Sequence, residues 1–376
     1  MFIQQIALNW LVYDLTNSPL MLGLVNGLRF LPMALTAPFA GVLADRGDRR
    51  KLILTTQVYL MVSALLFAFD VALDHVALWH IFVFTFLMGV GNGLNATSRQ
   101  SVLPQVVPRE LLVSAVAWTS VSQNATRTVG PAIGGVLISA FGMATNFFIQ
   151  AGCYVGTFAS IFPIKTLHQA GSGPKQRQPF FRSMAEGFRY MVTDKPVFSL
   201  MVLGLVPMFF IFPLQTLIPI FARDVFHKGA SGYGIFLMAM GLGSLLGTLA
   251  LAGMAEIRHK AAVFYVLLTV AIGSSIIFAW TRFLPLALLL LAGQGAAQMT
   301  YFSMNNATLQ MRVPDSVLGR VMSVNTLNVA LIPLGGLVAG LLAEVLGAPM
   351  ALTIIGGVGL LFVVGAALTL RSVRDL

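Results

Sequence analysis

The sequence predicts an all-α integral membrane protein of twelve spans arranged as a six-plus-six repeat, on three observations. Only 10% of the 376 residues are charged while 57% are apolar, and the mean hydropathy is +0.86. Soluble domains carry about 25% charged residues, so a water-soluble enzyme is excluded, and the scarcity of charge and polar tracts excludes a disordered chain. Apolar segments recur at the length needed to cross a membrane, about 20 residues for ~30 Å of hydrocarbon at 1.5 Å per residue. Finally, the residues after a polar, basic stretch at 165–195 echo those before it.

The first segment, 1–14, is short. Thirteen helical residues rise only about 20 Å, whereas the corresponding span of the second half has about 28 residues before its matching Asp. Residues 1–13 lack the basic start and small-residue cleavage site of a signal peptide. The expectation is therefore a truncated first span, with roughly 14 of its residues and any leader lying upstream of Met1. Full-length apolar cores follow at 20–44, 52–72, 77–97, 112–139 and 144–164, then at 197–222, 233–254, 261–280, 284–305, 318–343 and 350–370. Pro32 and Pro38 fall inside the second span, Pro131 in the fifth, Pro207 and Pro213 in the seventh and Pro333 in the eleventh. Such breakers damage a soluble helix but are common in membranes, where neighbouring helices satisfy the freed backbone groups.

The basic residues record the topology. With the connections assigned alternately to two sides, eighteen of the 23 Lys+Arg fall on one side, three (Arg223, Lys228, Arg282) on the other, and Arg29 and Arg127 lie inside spans. By the positive-inside rule both chain ends are cytoplasmic, in a cell (inner or plasma) membrane protein. A net charge of +10 can signal nucleic-acid binding, but here the charge is dispersed over separate loops instead of forming one patch, which excludes that class of partner.

Three matches in one order build the repeat. Residues 10–24 resemble 220–236, pairing Asp14 with Asp224; 95–112 resemble 306–320, pairing Asn95-Ala96-Thr97 with Asn306-Ala307-Thr308; and 134–142 resemble 335–347. The organisation is thus an N-terminal six-helix bundle at 1–164, a cytoplasmic linker at 165–195 and a C-terminal six-helix bundle at 196–376. Duplicated bundles of this kind are the architecture of alternating-access carriers.

Between the second and third spans stands Gly41-Val-Leu-Ala-Asp45-Arg46-Gly47-Asp48-Arg49-Arg50-Lys51. It resembles the cytoplasmic signature of the major facilitator superfamily, which Gly41, Asp45, Arg46, Arg49 and Arg50 fit; Asp48 stands where that signature has its second Gly. Asp45 and the basic cluster can bridge neighbouring helix ends and so favour one state of a cytoplasmic gate, or the loop is purely topogenic. In the fifth span Gly130-Pro131-Ala-Ile-Gly134-Gly135 resembles the tail of the antiporter motif of the same superfamily, with Thr126 where an upstream Gly would stand. It is either a direction-setting element or a packing kink. Together with Gln5-Ile-Ala-Leu-Asn9-Trp10, Ser98-Arg99-Gln100-Ser-Val-Leu-Pro104 and Phe221-Ala-Arg223-Asp224-Val, the chain resembles the enterobactin-exporter-like branch over essentially its whole length. That resemblance implies the twelve-span major facilitator fold and proton-driven efflux of siderophores, drugs or related small amphiphiles by alternating access. Uncoupled or facilitated transport, or import, of a small metabolite is the alternative.

Arg127 lies mid-span, where a charge costs at least about 2.5–3.5 kcal/mol by insertion scales, with Gln123 four residues before it on the same face. It serves a substrate or gating site, or bonds carbonyls of a neighbouring helix. Arg29 either takes part in binding or snorkels partway to the outer interface. Further amides recur on the spans: Asn9 with Gln5, Asn26, Asn92 with Asn95, Gln215, the run Gln294, Gln298, Tyr301, Asn305, and Asn325 with Asn328. Interhelical amide bonds contribute about 0.6 kcal/mol and at most ~2, so each is glue or ligand. The resembled fold lines its cavity with spans 1, 2, 4, 5, 7, 8, 10 and 11, where most of these amides fall. Asn9, Asn26, Arg29, Asn92, Gln123, Arg127, Gln215, Gln294, Gln298, Asn325 and Asn328 are the substrate-binding candidates.

No Asp or Glu sits mid-span, so proton coupling would fall to Asp14 or Asp45 or to a residue upstream. His80, at the outer start of the fourth span, reads as interfacial. The single Cys153 excludes a disulfide framework and a Cys-based metal site. The five His are scattered, no nucleophile–base pair has motif support, and no Gly-Lys-Ser/Thr phosphate loop is present. The chain therefore reads as a non-enzyme without cofactor or metal, a monomer whose partners are a small solute, protons and the bilayer.

Overall fold

The computed structural model describes residues 2–46, 48–108, 111–163, 180–253, 260–328 and 331–369. Among them every regular element is helical. The first six helices are α1 (Phe2–Thr16), α2 (Pro19–Arg46), α3 (Arg49–Ala72), α4 (Leu78–Val106), α5 (Leu112–Phe141) and α6 (Met143–Ile161). They are followed by α7 (Phe180–Thr193), α8 (Lys195–Val206), α9 (Pro213–Ile220), α10 (Gly229–Gly253), α11 (Lys260–Trp280), α12 (Leu284–Arg312), α13 (Asp315–Leu327), α14 (Leu331–Leu346) and α15 (Ala348–Thr369).

Apart from α7, these helices match the predicted segments, with two of the segments subdivided. The seventh span, Lys195–Val225, is α8 and α9 joined and ended by π-helical turns at Pro207–Ile211 and Phe221–Val225. Pro207 and Pro213 explain the first break, because each removes an N–H from the helical ladder; the ladder recloses with Phe212 N–H donating to the Pro207 carbonyl at 2.9 Å. The eleventh span is α13 followed by α14. Among the described residues six segments combine the length and apolarity of a membrane span: 50–72, 78–96, 195–225, 229–251, 260–280 and 348–369. Three more helices, α2, α5 and α12, have 28, 30 and 29 residues and exceed the spanning length.

One difference from the sequence reading is α7. The stretch 165–195 reads as a polar linker, yet 180–193 forms a helix. Met191 is buried on it while Phe188 and Val192 are exposed. It packs on α13, where Gly187 lies against the Arg320 carbonyl and Glu186 pairs with Arg320 at 2.8 Å.

The chain divides into two compact units: Met1–Asn17, Leu24–Lys175 and Lys228–Gly234 form the first, and Ser18–Gly23, Gln176–His227 and Ile235–Leu376 the second. In the first unit α3 packs on α4 and α6, and α1 on α5. Its core holds the Phe67, Phe84 and Phe147 rings, stacked at 4.0 Å and edge-on at 4.9 Å. In the second, α11 packs on α12 and α15, and Phe264 meets Tyr301 edge-on at 5.5 Å. There α10 and α12 approach until backbones touch: Gly243 lies against the Ala292 carbonyl and Gly295 against that of Met240. Small residues at helix crossings are how membrane helices gain packing without a hydrophobic drive.

The repeat reappears in the backbone of each unit. Asn17 and His227, after Asp14 and Asp224, adopt φ of 49° and 50°, and Gly142 and Gly347, closing α5 and α14, both adopt φ of 83°. Gly135 lies against Gly234 within the first unit, and Gly336 against Gly23 within the second.

Candidate functional site

The first unit buries a polar cluster around α1 and α2. Asn9, 2% exposed, donates from Nδ2 to the Tyr233 hydroxyl at 3.2 Å and accepts at Oδ1 from Asn26 Nδ2 at 3.2 Å. Arg29 follows Asn26 by three residues, on the same face of α2, and is 8% exposed. Its Nη2 has no hydrogen-bond partner, and its guanidinium lies within electrostatic reach of the Tyr154 and Tyr233 phenols. Gln150 of α6 donates to Gln4 Oε1 at 2.5 Å and to the Tyr154 hydroxyl at 2.8 Å, leaving its own Oε1 without a partner. Arg29 therefore does not snorkel to an interface, because α2 turns it into the unit's interior.

The other fourth-span amides are spent on structure. Asn92 Nδ2 donates to the Met88 carbonyl of its own helix at 2.7 Å, and Asn95 Oδ1 accepts from Gln57 Nε2 of α3 at 3.0 Å. These are helix-bracing bonds, which leaves Asn92 a weaker binding group than Asn9 or Asn26.

The second unit contains a stripe along one face of α12. Gln294 is fully buried with both amide atoms unpartnered, and Gln298 Nε2, the Tyr301 hydroxyl and Asn305 Oδ1 are buried and unpartnered as well. Positions i, i+4, i+7 and i+11 lie on one helix face. Next to its C-terminal end Asn325 donates to Asn306 Oδ1 at 3.1 Å and Asn328 to Asn325 Oδ1 at 3.3 Å. The missing side chain at Gly204 of α8 leaves room for Asn328, whose Nδ2 stands 3.1 Å from where a Cβ would be. Buried polar atoms without protein partners are costly, which makes this stripe the candidate binding face of the second unit. Gln215 is half-buried on α9.

In the Gly41–Lys51 signature, the side chains of Gly41, Asp45, Arg46 and Arg49 lie outside the described residues, as do those of Gln123, Arg127 and Pro131 in α5. What is described has a plain role. Asp48 is the N-cap of α3, its Oδ1 accepting from the backbone N–H of Arg50 at 2.9 Å and of Lys51 at 3.3 Å. Its presence in place of a Gly thus follows from helix capping. Arg50 donates to the Phe162 carbonyl and lies 5.8 Å from the Phe162 ring centre, tying the start of α3 to the end of α6. Gly130 is buried, the Gly134 carbonyl accepts from Asn146 Nδ2 at 3.0 Å, and Gly135 is a close-approach point. Asp14 is exposed at the last turn of α1. Farther along, His80 Nδ1 lies 2.7 Å from Asp70 Oδ2.

Sequence reasoning missed Gln4, Gln150, Tyr154 and Tyr233. Gln150 and Tyr154 carry a signal, two polar groups four residues apart in an apolar span. Gln4 and not its neighbour Gln5 makes the interhelical bond, a choice of helix face that an isolated pair of glutamines does not reveal.

The model of a family described as transmembrane secretion effector matches residues 1–375. The staphyloferrin A transporter of Staphylococcus aureus is 26% identical over 367 residues, 94% of this chain and 89% of that protein. The enterobactin exporter EntS of Shigella boydii is 27% identical over 365 residues, 96% and 85% of the two chains. Macrolide efflux protein A of Streptococcus pyogenes is 24% identical, covering 92% and 86%. Among solved structures, a bacterial homologue of the human lysosomal transporter Spinster, inward-facing and unoccupied, aligns with a TM-score of 0.73 at 16% identity, covering 100% of this chain and 92% of that one. A bacterial homologue of the iron transporter ferroportin aligns at 0.70 and 13%, covering 100% and 96%. These last two likenesses concern the fold alone.

Proposed function

Because this chain belongs to the transmembrane secretion effector family, of the major facilitator type, and is thus a multi-pass membrane transporter of small-molecule solutes and not an enzyme, we propose that it is a proton-driven exporter of siderophores, drugs or similar amphiphiles. The observation that carries the reading is the buried polar stripe of α12, whose side-chain atoms find no protein partner. Such sites hold mostly apolar solutes and orient them through a few polar groups. Relatives named as an enterobactin exporter and a macrolide efflux protein support the direction, and these with the staphyloferrin A transporter support the solute class. Gln294, Gln298, Asn325 and Asn328 in the second unit, and Asn9, Asn26, Arg29, Gln123 and Arg127 in the first, are the binding groups of this reading, with Gln215 and Asn92 secondary. The signature from Gly41 to Arg50 sets the cytoplasmic gate, and Gly130, Pro131, Gly134 and Gly135 set direction. The protein acts as a monomer in the inner membrane, with both ends in the cytoplasm and Asp14 or Asp45 carrying the proton.

One observation favours a second reading, uncoupled transport: among the described residues no Asp or Glu is buried, so the buried carboxylate that commonly carries a proton is not provided there. Solute accumulation in everted vesicles decides between them. Accumulation of a siderophore or macrolide that collapses with an uncoupler supports proton-driven export. Equilibration that ignores the proton gradient removes the coupling and leaves the transporter.

A further inference from the structure

Arg29 is a positive charge, more than nine-tenths buried, that no described acidic side chain balances. Among the described residues no acidic side chain is buried and no ion pair includes Arg29. The groups within electrostatic reach, Tyr154 and Tyr233, are phenols whose oxygens already accept hydrogen bonds from Gln150 and Asn9. One guanidinium nitrogen, Nη2, is unpartnered. An ionised group in a low-dielectric interior is tolerated only when paired, and Arg presents a planar fork that fits a carboxylate through two parallel hydrogen bonds. The missing partner is thus an anion that comes and goes. Depth identifies its source. Arg29 stands ten residues along α2 from Pro19, about 15 Å at 1.5 Å per residue, which is near the middle of ~30 Å of hydrocarbon. Lipid phosphates lie at the edges of that layer, while a transported solute passes through its centre.

We propose that Arg29 docks an anionic group of the cargo, so that the solutes carried are amphiphilic organic acids held by a carboxylate at Arg29, with the Asn9 and Asn26 amides beside it. This rests on the transporter reading above and narrows its substrate class.

The test uses the full chain in dodecyl maltoside, which contains no phosphate, and reads saturable binding and the shift in melting temperature. The probes are 2-naphthoate and 2-naphthamide, which share a shape and differ in charge, with indole-3-acetate and citrate as further carboxylates. The proposal expects naphthoate to bind and stabilise the wild type at least tenfold better than naphthamide. Arg29→Gln should erase that preference and Arg29→Lys should keep part of it. Gln is neutral and similar in length, and it removes an unbalanced charge, so a folded protein is expected. If Arg29→Gln distorts the unit, the Arg29→Lys comparison still separates the two probes. The proposal is overturned by equal binding of acid and amide, by unchanged naphthoate binding in Arg29→Gln, or by no saturable binding of any of the three carboxylates. An equal Arg29-dependent shift from phosphatidylglycerol alone would assign the charge to lipid and overturn it too. Failure of the two readings is distinguishable. Vesicles that move no solute while Arg29-dependent naphthoate binding persists remove the exporter and keep the site. Export by Arg29→Gln at the wild-type rate, with acid and amide bound alike, removes the site and keeps the exporter.

Discussion

Tyr233 shows what one buried hydroxyl contributes in this protein. It accepts from Asn9, and Asn9 in turn accepts from Asn26, so Tyr233→Phe leaves the Asn9 Nδ2 without its acceptor at almost no change in volume. The loss should be about 0.6–2 kcal/mol, the range of interhelical hydrogen bonds in membranes, and is read as a lower melting temperature in detergent, with Asn26→Ala lowering it through the same chain. A melting temperature unchanged in both variants would mean that the cluster holds nothing together. Asp48 makes a local counterpart: Asp48→Ala removes the cap of α3 and should cost about 1 kcal/mol. Hydrogen exchange at the first turn of α3 should accelerate, and Asp48→Asn, which keeps the accepting oxygen, should restore most of the protection. A charge mid-span persists through some bonded role, so Arg127→Ala should abolish transport while leaving the protein in the membrane, and wild-type transport would remove Arg127 from the site. At this scale the sequence shows which residues are polar within spans. It does not show which are already spent, because Asn92 and Asn26 look alike until one bonds its own helix and the other bonds Asn9.

Elements were legible wherever length and apolarity decided them: most helices coincide with the predicted spans to within about four residues, while α4 and α12 run on past the predicted ends at 97 and 305 to Val106 and Arg312. Two departures have physical causes. α7 is short and two-faced, and its periodicity at 180–193 is hidden inside a segment whose overall composition is polar and basic. The π turn at Pro207–Ile211 follows from the N–H groups that Pro207 and Pro213 lack, a local choice that hydropathy does not encode. Helix crossings are legible only as runs of Gly; which helix each Gly meets is tertiary information. Gly295 is the sharpest case, since a Cβ there would run into the Met240 carbonyl, a backbone atom that cannot swing away. Gly295→Val should therefore push α10 and α12 apart at a cost of about 1–3 kcal/mol. The consequence is measured as reduced folded yield in the membrane and a lowered melting temperature. Gly273→Val, at a position with open space around it, is the control expected to change neither. Equal behaviour of the two variants would contradict the close approach.

For the molecule as a whole, the charge distribution and the turns make one statement about sidedness. Eighteen of the 23 basic residues fall on the loops of one side. The same assignment puts Asp74 and His227 on the other side; both adopt left-handed φ in turns between apolar helices, with exposed side chains. Asp48 and Lys195, both exposed, begin spans on the basic side. If those basic loops are cytoplasmic, a cysteine at position 74 or 227 meets the outside and one at 48 or 195 meets the cytosol. The native Cys153 is exposed on α6, within an apolar span, so Cys153→Ser gives a background without thiols. In that background, Asp74→Cys and His227→Cys should react with a membrane-impermeant maleimide in intact cells, and Asp48→Cys and Lys195→Cys only after the cells are opened. The pairs come from different halves of the repeat, so agreement within each pair tests the six-plus-six count as well as the orientation. An odd number of crossings between 74 and 227 would split the pair, and labelling of 48 and 195 in intact cells would invert the topology. Either result would also relocate the signature from Gly41 to Arg50 away from the cytoplasmic face, and with it the gate.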